Sequence, residues 1–310
     1  MFEKIIGAIR AYNRIIIHRH SNPDGDAIGS QVGLKYIIKE AFPEKEVLAV
    51  GDSAGRYSFI EGSEMDEVAD ELYKDALAIV LDTSAKSLIS DLRYSTAKET
   101  ARLDHHIFVE TICNIEITDT SYESCCGLIT ELARECELPI GEVAAAALYT
   151  GMVTDSGRFR YDSTNSNTHS LASHLMKTHI DTGAIYSNLY RDELKRIQAR
   201  ALFTLKIQDT GRGVAYIYTT KEEAAESGLD TFSISRGMVG TMSEIRGIDS
   251  WVNFTETDDG VLCEIRSAKY NINPIATAHG GGGHQKASGA TLKDRAEAMA
   301  VVEELCALGE

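Results

Sequence analysis

The chain lacks the sequence features of a disulfide-rich secreted protein and of a membrane protein. Its 310 residues include six cysteines, none in a C-x-x-C spacing, so no disulfide framework is indicated. The longest mostly apolar run, 143–153, is too short to cross a bilayer and contains Tyr149, Thr150 and Gly151. Residues 1–7 are amphipathic and contain no signal-peptide core. We therefore expect a cytoplasmic, reduced protein that does not associate with membranes.

Basic residues are also scarce, since 31 lysines and arginines face 47 acidic residues and give a formal net charge of −16. Long duplex nucleic acid requires a broad basic face, so it is excluded as a partner. A small phosphorylated ligand requires only one local basic pocket. Short RNA or DNA oligonucleotides and small nucleotides are therefore compatible substrates. The sequence is also compatible with a homodimer.

The first half of the chain alternates short apolar strands with amphipathic helices, which is typical of a doubly wound α/β domain with a mainly parallel sheet. The predicted strands are 14–18, 47–50, 77–81 and 101–103, and the predicted helices are 26–41, 124–138, 141–153 and 166–179. We assign residues 1–185 to a metal-binding catalytic domain, 186–208 to a linker helix and 209–310 to a smaller α/β substrate-binding domain. A hairpin of strands 250–256 and 261–267 is predicted in the last domain.

Acidic and histidine residues recur at or just after the ends of these strands and helices. They are His20, Asp24, Asp26, Asp82, Asp104, His105, His106 and Asp155. Because the carboxyl ends of parallel strands meet at one edge of a sheet, we expect these side chains to gather there. So many carboxylates and imidazoles at one edge would repel each other unless cations neutralised them, and two divalent metals are the simplest solution.

The spacing of His20, Asp24 and Asp26 lets the two aspartates approach different ions, and Asp82 is suited to bridge both. Mixed imidazole and carboxylate ligands favour Mn²⁺ over Ca²⁺, which prefers oxygen alone. Two such ions, about 3.5–4 Å apart, activate water and polarise a phosphoryl oxygen. Each aspartate taken singly could be a turn residue or a helix cap, and Asp26 in particular could cap its helix. The ordered set as a whole favours metals.

Four segments resemble the signature motifs of the DHH phosphoesterase superfamily over roughly residues 14–160: His20–Asp26, Asp82, Asp104-His105-His106 and Asp155. The resemblance implies a hydrolase with two Mn²⁺ ions, for which Mg²⁺ or Co²⁺ could substitute. It implies one ion held by His20, Asp24 and Asp82, and another held by Asp26, Asp82, His105 and Asp155. It further implies that His106 faces the scissile phosphate and that Asp104 orients a ligand from behind.

The C-terminal segment resembles the DHH-associated domain, with the substrate-binding candidates Arg266, Ser267, Gly281, Gly282, Gly283 and His284. Consecutive glycines let backbone N–H groups approach a phosphate without obstruction by side chains. Arg266 could add a bidentate clamp, and His284 a hydrogen bond or a stacking surface for a base. The alternative interpretation is a flexible glycine loop.

This pair of domains favours the compact NrnA-type group of bifunctional oligoribonucleases and pAp phosphatases over family II pyrophosphatases and longer RecJ-type exonucleases. We predict a manganese-dependent phosphoesterase that hydrolyses short oligonucleotides (nanoRNA), 3′-phosphoadenosine 5′-phosphate (pAp), or both. One alternative is a phosphodiesterase for cyclic or linear dinucleotides, namely c-di-AMP, pApA or pGpG. Another is a catalytically inactive nucleotide-binding sensor, against which the complete set of ligands argues.

Overall fold

The computed structural model describes all 310 residues, which divide into two compact units, Met1–Arg191 and Asp192–Glu310. Each unit is built around its own sheet and combines strands with helices, so the predicted α/β fold class is confirmed. None of the helices has both the length and the hydropathy that crossing a bilayer requires.

The first unit contains a five-stranded, fully parallel sheet with the order β2-β1-β3-β4-β5. Its strands are β1 (Arg14–His18), β2 (Glu46–Ala49), β3 (Leu77–Leu81), β4 (Glu99–Asp104) and β5 (Ile115–Thr118). The chain passes from β1 to β2 on one side and returns to β3 on the other. The switch point of the topology therefore lies between β1 and β3, at whose carboxyl ends ligands bind in open α/β sheets.

Six helices cover this sheet: α1 (Glu3–Ala11), α2 (Gly25–Ala41), α3 (Cys125–Glu135), α4 (Glu142–Asp155), α5 (Ser166–Met176) and α6 (Thr182–Tyr190). Short 3₁₀ turns lie at Gly55–Tyr57, Asp70–Asp75, Lys86–Leu88 and Leu92–Thr96. Two glycines allow α2, α3 and α4 to pack closely. A Cβ atom at Gly29 would lie 2.5 Å from the Ala147 carbonyl oxygen, and one at Gly151 would lie 3.0 Å from the Asp26 Cα and collide with the Cys126 sulfur.

The second unit contains a six-stranded mixed sheet with the order β10-β11-β9-β8-β7-β6. Its strands are β6 (Gln208–Asp209), β7 (Val214–Thr219), β8 (Ser250–Thr257), β9 (Gly260–Ser267), β10 (Gly282–Gly283) and β11 (Ala287–Leu292). Only β7 and β8 pair in parallel, and β8 and β9 form the predicted hairpin. The helices are α7 (Leu194–Leu205), α8 (Lys221–Ser227), α9 (Thr231–Val239), α10 (Asn273–Ala278) and α11 (Arg295–Ala307), with a 3₁₀ turn at Gly240–Met242.

The segment 186–208, expected to form a linker helix, contains the end of α6 and all of α7, with a break at 191–193 between them. The break coincides with the division between the two units. The assignment of a catalytic and a substrate-binding role to the two parts of the chain stays a prediction.

The close packing behind Asp26 predicts that Gly151→Ala destabilises the first unit. The added methyl group would force Cys126 and α2 to shift, and overpacking of this kind costs about 1–3 kcal/mol of unfolding free energy. Gly7→Ala is the matched control, because Gly7 lies inside α1 and a Cβ atom there would have no heavy atom within 4 Å. Urea denaturation should show a loss for Gly151→Ala and a gain of up to about 1 kcal/mol for Gly7→Ala. Equal effects would contradict the packing argument.

Candidate metal centre

The predicted metal ligands meet at the carboxyl edge of the first sheet. His20 lies two residues beyond β1, Asp82 directly follows β3, His105 directly follows β4, and Asp155 is the last residue of α4. Three groups of donor atoms, each with all members within 4.8 Å of one another, form there: His20–Asp24–Asp82, Asp82–His105–His106 and Asp26–His105–Asp155. The residues that are far apart in sequence are therefore brought to one place.

Asp82 lies at the middle of this cluster and is 2% exposed. Its Oδ2 lies 3.5 Å from His20 Nε2, and its Oδ1 lies 3.4 Å from His105 Nε2 and 3.5 Å from His106 Nδ1. Oδ1 is buried and accepts no hydrogen bond, and the residue has a left-handed φ of 49°. A buried carboxylate oxygen without a donor is costly unless a cation compensates it, and strained backbone of this kind is typical of functional sites. The donor set therefore fits divalent metal ions.

The N-terminus of α3 holds the Asp26 carboxylate from behind. The backbone N–H of Cys125 donates to Asp26 Oδ2 at 2.7 Å, and that of Cys126 donates to Oδ1 at 2.9 Å. These N–H groups have no partner within their own helix, and the helix dipole favours a negative charge at this end. The cap of α2 is Asp24, whose Oδ1 accepts from the N–H groups of Asp26 and Ala27. The interpretation of Asp26 as a cap is thus wrong.

The support of Asp26 by α3 was missed at the level of sequence. The sequence does contain a signal for the start of α3. Ser124 is a favoured N-cap residue, so Cys125 and Cys126, which follow it, are expected in the first turn of a helix. The sequence alone does not show that this helix end contacts Asp26, because Asp26 and Cys125 are 99 residues apart in the chain.

The two candidate imidazole ligands are oriented by separate contacts. His20 Nδ1 lies 2.8 Å from the Ser21 carbonyl, so Nδ1–H donates there and Nε2 is left towards Asp24 (3.9 Å) and Asp82. Arg19, which is fully buried, donates from Nη1 to the His20 carbonyl at 3.1 Å. His105 Nε2 lies between Asp26 Oδ2 at 3.7 Å, Asp82 Oδ1 and Asp155 Oδ2 at 3.5 Å.

His106 differs from His105, because it turns towards Asp104 and remains 42% exposed. Its Nδ1 donates to Asp104 Oδ1 at 2.8 Å, and this hydrogen bond raises the pKa of His106 although burial opposes the rise. Asp104 is fully buried, and its other oxygen faces Arg102 Nη1 at 3.8 Å. Arg102, also fully buried, was missed at the level of sequence. Its position two residues before Asp104 on the same strand is the signal, because side chains at that spacing share a face.

The clustered carboxylates and imidazoles shift one another's pKa values. Burial alone would lower the pKa of His20, but the nearby carboxylates of Asp24 and Asp82 outweigh burial and raise it to about 11. Burial is likewise outweighed at His105, where Asp82 and Asp26 raise the pKa to about 10. Burial raises the pKa of Asp155 to about 7 against the opposing charge of His105. Metal ions must therefore displace protons from this site.

In the second unit, Arg266 and the glycine-rich segment lie on either side of β11. Arg266 pairs with Ala287 across the β9–β11 ladder, and Gly283 pairs with Ser288 across the β10–β11 ladder. Nη1 and Nη2 of Arg266 each lie 3.2 Å from Glu264 Oε2, and the side chain is 27% exposed. The guanidinium is thus preorganised by a carboxylate and retains an open side.

Part of the glycine run forms a short strand at the edge of the sheet. Gly282–Gly283 forms β10, Gly283 has a φ of 133°, and a Cβ atom at Gly281 would collide with the Gly289 carbonyl. His284 is exposed, and its N–H donates to the Ala287 carbonyl at 2.8 Å. The glycines thus permit close approach of two strands and leave their backbone at the surface.

Ser267 does not share this open position. It alternates with Arg266 on β9 and is buried, and its hydroxyl donates to the Asp249 carbonyl at 2.9 Å while it accepts from the Tyr270 N–H at 2.8 Å. Its hydroxyl contacts Ser250 as well, at 3.0 Å. Ser267, the last residue of β9, therefore stabilises the turn that follows this strand, and its side chain lies on the face opposite to Arg266.

Comparison with known proteins gives matches over nearly the whole chain. Residues 14–152 match the DHH family, N-terminal domain, and residues 211–308 match the DHHA1 domain. The bifunctional oligoribonuclease and PAP phosphatase NrnA of Bacillus subtilis is 34% identical over 312 residues, covering 99% of both chains. The probable NrnA of Streptococcus mutans is 35% identical over 307 residues, covering 98% of this chain and 97% of that protein.

A solved structure resembles the whole chain as well. The crystal structure of an exopolyphosphatase-related protein from Bacteroides fragilis has a TM-score of 0.88 and 26% sequence identity. The match covers 98% of this chain and 95% of that one. The arrangement of elements described above is therefore shared with a protein known from crystallography.

The position of Asp82 predicts that Asp82→Ala loses more metal than Asp24→Ala, because Asp82 belongs to two donor groups and Asp24 to one. Asp119→Ala is the matched control, since Asp119 follows β5 at the same edge but lies outside all three groups. Elemental analysis after desalting should show Asp119→Ala unchanged, Asp24→Ala reduced and Asp82→Ala close to metal-free. Full metal content in Asp82→Ala would refute its central role.

The raised histidine pKa values predict that metal binding releases protons and tightens as pH rises. In the metal-free protein both imidazoles hold protons up to pH values of about 10 and 11, and only the neutral rings can bind a metal. Calorimetric titration with Mn²⁺ in buffers of different ionisation enthalpy should therefore reveal net proton release near neutral pH. An affinity that is constant from about pH 6 to about pH 9, without proton release, would contradict this account.

Proposed function

The chain belongs to the DHH family, with an N-terminal DHH domain and a C-terminal DHHA1 domain, and from this membership we propose that it is a metal-dependent phosphoesterase. Its proposed substrates are short oligonucleotides and pAp. This proposal follows the names of two relatives that match nearly the whole chain, each a bifunctional oligoribonuclease and PAP phosphatase. The observation that carries the proposal is the buried Asp82 carboxylate. Its Oδ1 accepts no hydrogen bond, and candidate metal-ligand atoms of other residues surround it.

We propose two bound ions, both Mn²⁺, since mixed imidazole and carboxylate donors suit this metal. His20, Asp24 and Asp82 would hold one ion, and Asp26, Asp82, His105 and Asp155 would hold the other. When bound, such a pair of ions supplies activated water and electrostatic stabilisation of the phosphoryl oxygens. Mg²⁺ and Co²⁺ are possible substitutes.

The residues around the ions have roles of their own in this proposal. Asp104 Oδ1 accepts a hydrogen bond from the Nδ1–H of His106, which leaves Nε2 of that ring for the scissile phosphate. The raised pKa of His106 favours a protonated ring, from which Nε2–H can donate to a phosphate oxygen. Arg102 lies beside Asp104, with its Nη1 3.8 Å from Asp104 Oδ2. His106 is thus a catalytic residue, and Asp104 and Arg102 are positioning residues.

The second unit would bind the part of the substrate that does not react. The Arg266 guanidinium can clamp a phosphate, the exposed backbone at Gly282 and Gly283 can approach it, and His284 can contact a base or phosphate. The Gly281 N–H donates to the Ala276 carbonyl at 2.8 Å, so Gly281 would act through the space that its missing side chain leaves. The formal charge of −16 disfavours long polymers and agrees with substrates of a few nucleotides.

The test of this function compares rates on pAp, pApA, pGpG and c-di-AMP with the Mn²⁺-loaded protein. We expect rapid release of product from pAp, from the linear dinucleotides, or from both, and loss of activity in EDTA without unfolding. A rate that is highest on c-di-AMP would replace the proposal by the cyclic-dinucleotide alternative. Binding of nucleotides without hydrolysis of any of them would favour the inactive sensor.

The contact between His106 and Asp104 predicts that His106→Ala keeps its metal and loses turnover. Its ring contacts Asp104, whereas His105 lies among three carboxylates, so only removal of His105 should reduce metal content. Elemental analysis and nucleotide hydrolysis should be measured for both variants. Loss of metal in His106→Ala with full retention in His105→Ala would show that the two roles are reversed.

The position of Arg266 predicts that Arg266→Ala impairs nucleotides more than an artificial substrate. Removal of a charged hydrogen-bond partner costs about 1.5–3 kcal/mol, or about ten- to a hundred-fold in kcat/KM, mainly through a higher KM. Bis-p-nitrophenyl phosphate has no second phosphate for this clamp to bind, so its slow hydrolysis should change little. Equal losses on both substrates would mean that Arg266 supports the fold, as its contact with Glu264 could also do.

A further inference from the structure

Two arginines of the first unit lie beside the metal centre and form no ion pair with an aspartate or glutamate. Arg56 belongs to the 3₁₀ turn Gly55–Tyr57, and Arg158 lies three residues after Asp155. Both side chains are exposed, and their guanidinium contacts are aromatic rings and one backbone carbonyl. In a chain with 16 more acidic than basic residues, guanidiniums without a carboxylate partner are available for an external anion.

Arg158 is held in an unusual backbone turn. Its φ is 64° and that of Phe159 is 61°, a left-handed conformation that is costly for residues other than glycine. The turn is fastened by hydrogen bonds from the Arg158 N–H to the Val153 carbonyl at 2.8 Å and from the Phe159 N–H to Ser156 Oγ at 2.9 Å. It directs Arg158 onto the ring of Tyr190, 4.0 Å from the ring centre.

Arg56 reaches the same end of α6 from another loop. Its Nη2 donates to the Leu189 carbonyl at 3.1 Å, and its guanidinium lies 5.2 Å from the centre of the Tyr57 ring. Leu189 and Tyr190 are consecutive residues at the end of α6, so both guanidiniums lie at this end of the helix. The two guanidiniums therefore border a single place on the surface, which we call the arginine pair.

Tyr57 and Gly25 connect the arginine pair to the metal centre. Tyr57 packs against the apolar cluster that includes Ile28 and Val32 of α2, the helix whose N-cap is Asp24. Burial raises the pKa of Tyr57, Arg56 lowers it, and Asp24 raises it further. A Cβ atom at Gly25 would lie 2.5 Å from Thr154 Oγ1, next to Asp155. The arginine pair thus lies on the Asp24 and Asp155 side of the cluster.

We propose that Arg56 and Arg158 form an anion subsite that binds a phosphate group of the substrate other than the one being hydrolysed. This inference rests on the proposed function and specifies its substrate class, namely nucleotides with a second phosphate. A planar guanidinium that stacks on an aromatic ring keeps its edge free for bidentate contact with phosphate. Stacking also reduces the side-chain freedom that is lost when the anion binds.

The test compares pApA with ApA, which differ by one 5′-phosphate, in Arg56→Gln, Arg158→Gln and the double variant. Glutamine keeps a polar side chain of similar length without the charge. We expect the pApA to ApA ratio of kcat/KM to fall about ten- to a hundred-fold, as for the loss of a charged hydrogen bond. Arg10→Gln is the matched control, because Arg10 lies on α1, before the amino end of β1. Its ratio should equal that of the wild type.

An unchanged pApA to ApA ratio in the double variant would overturn the inference. An equal fall of this ratio in Arg10→Gln would also overturn it, because the effect would then come from the net charge of the protein. A ratio that responds to Arg266→Ala and not to Arg158→Gln would assign the second phosphate to the other unit. If the wild type hydrolyses neither compound, the proposed function fails, and calorimetric binding of the same two ligands decides the inference. The double variant must then lose affinity for pApA relative to ApA, and equal affinities for the wild type and the double variant would overturn it.

Discussion

The cluster of negative charge around the buried Asp82 carboxylate is the constraint on which the first unit depends. Four aspartates from three segments converge there, and their repulsion would oppose folding without positive charge between them. Protons on His20 and His105 can supply that charge in the metal-free protein, and divalent ions supply it in the proposed enzyme. The topology makes the convergence possible, because the switch point between β1 and β3 brings their carboxyl ends together.

Three residues of the centre are held in place by groups outside the donor sets. The N–H groups of α3 hold Asp26, the Ser21 carbonyl orients His20, and Asp104 orients His106. Preorganised ligands of this kind need little rearrangement when metal or substrate binds. The close packing at Gly151 belongs to the same design, since it lets α4 and α3 meet behind Asp26.

The sequence predicted those parts of the fold whose signal is local. β1 and β3 contain the apolar runs Ile15–Ile17 and Leu77–Leu81 and were predicted at their observed bounds. β5 was missed because only Ile115 and Ile117 are apolar in it. The gathering of the ligands followed from the parallel sheet. Contacts between distant segments did not follow, such as that of Asp26 with Cys125 or of Arg158 with Tyr190, since no local pattern encodes them. Ser267 shows the converse, because the alternation along β9 already indicates that it and Arg266 face opposite sides.

The most direct test of the central claim is a crystal structure of the Mn²⁺-loaded protein with anomalous diffraction measured at the manganese edge. The account predicts two anomalous peaks at the carboxyl edge of the first sheet, both within coordination distance of Asp82, with His20 on one side and His105 on the other. A single peak, or two peaks of which only one contacts Asp82, would contradict the bridging role on which the proposed chemistry rests.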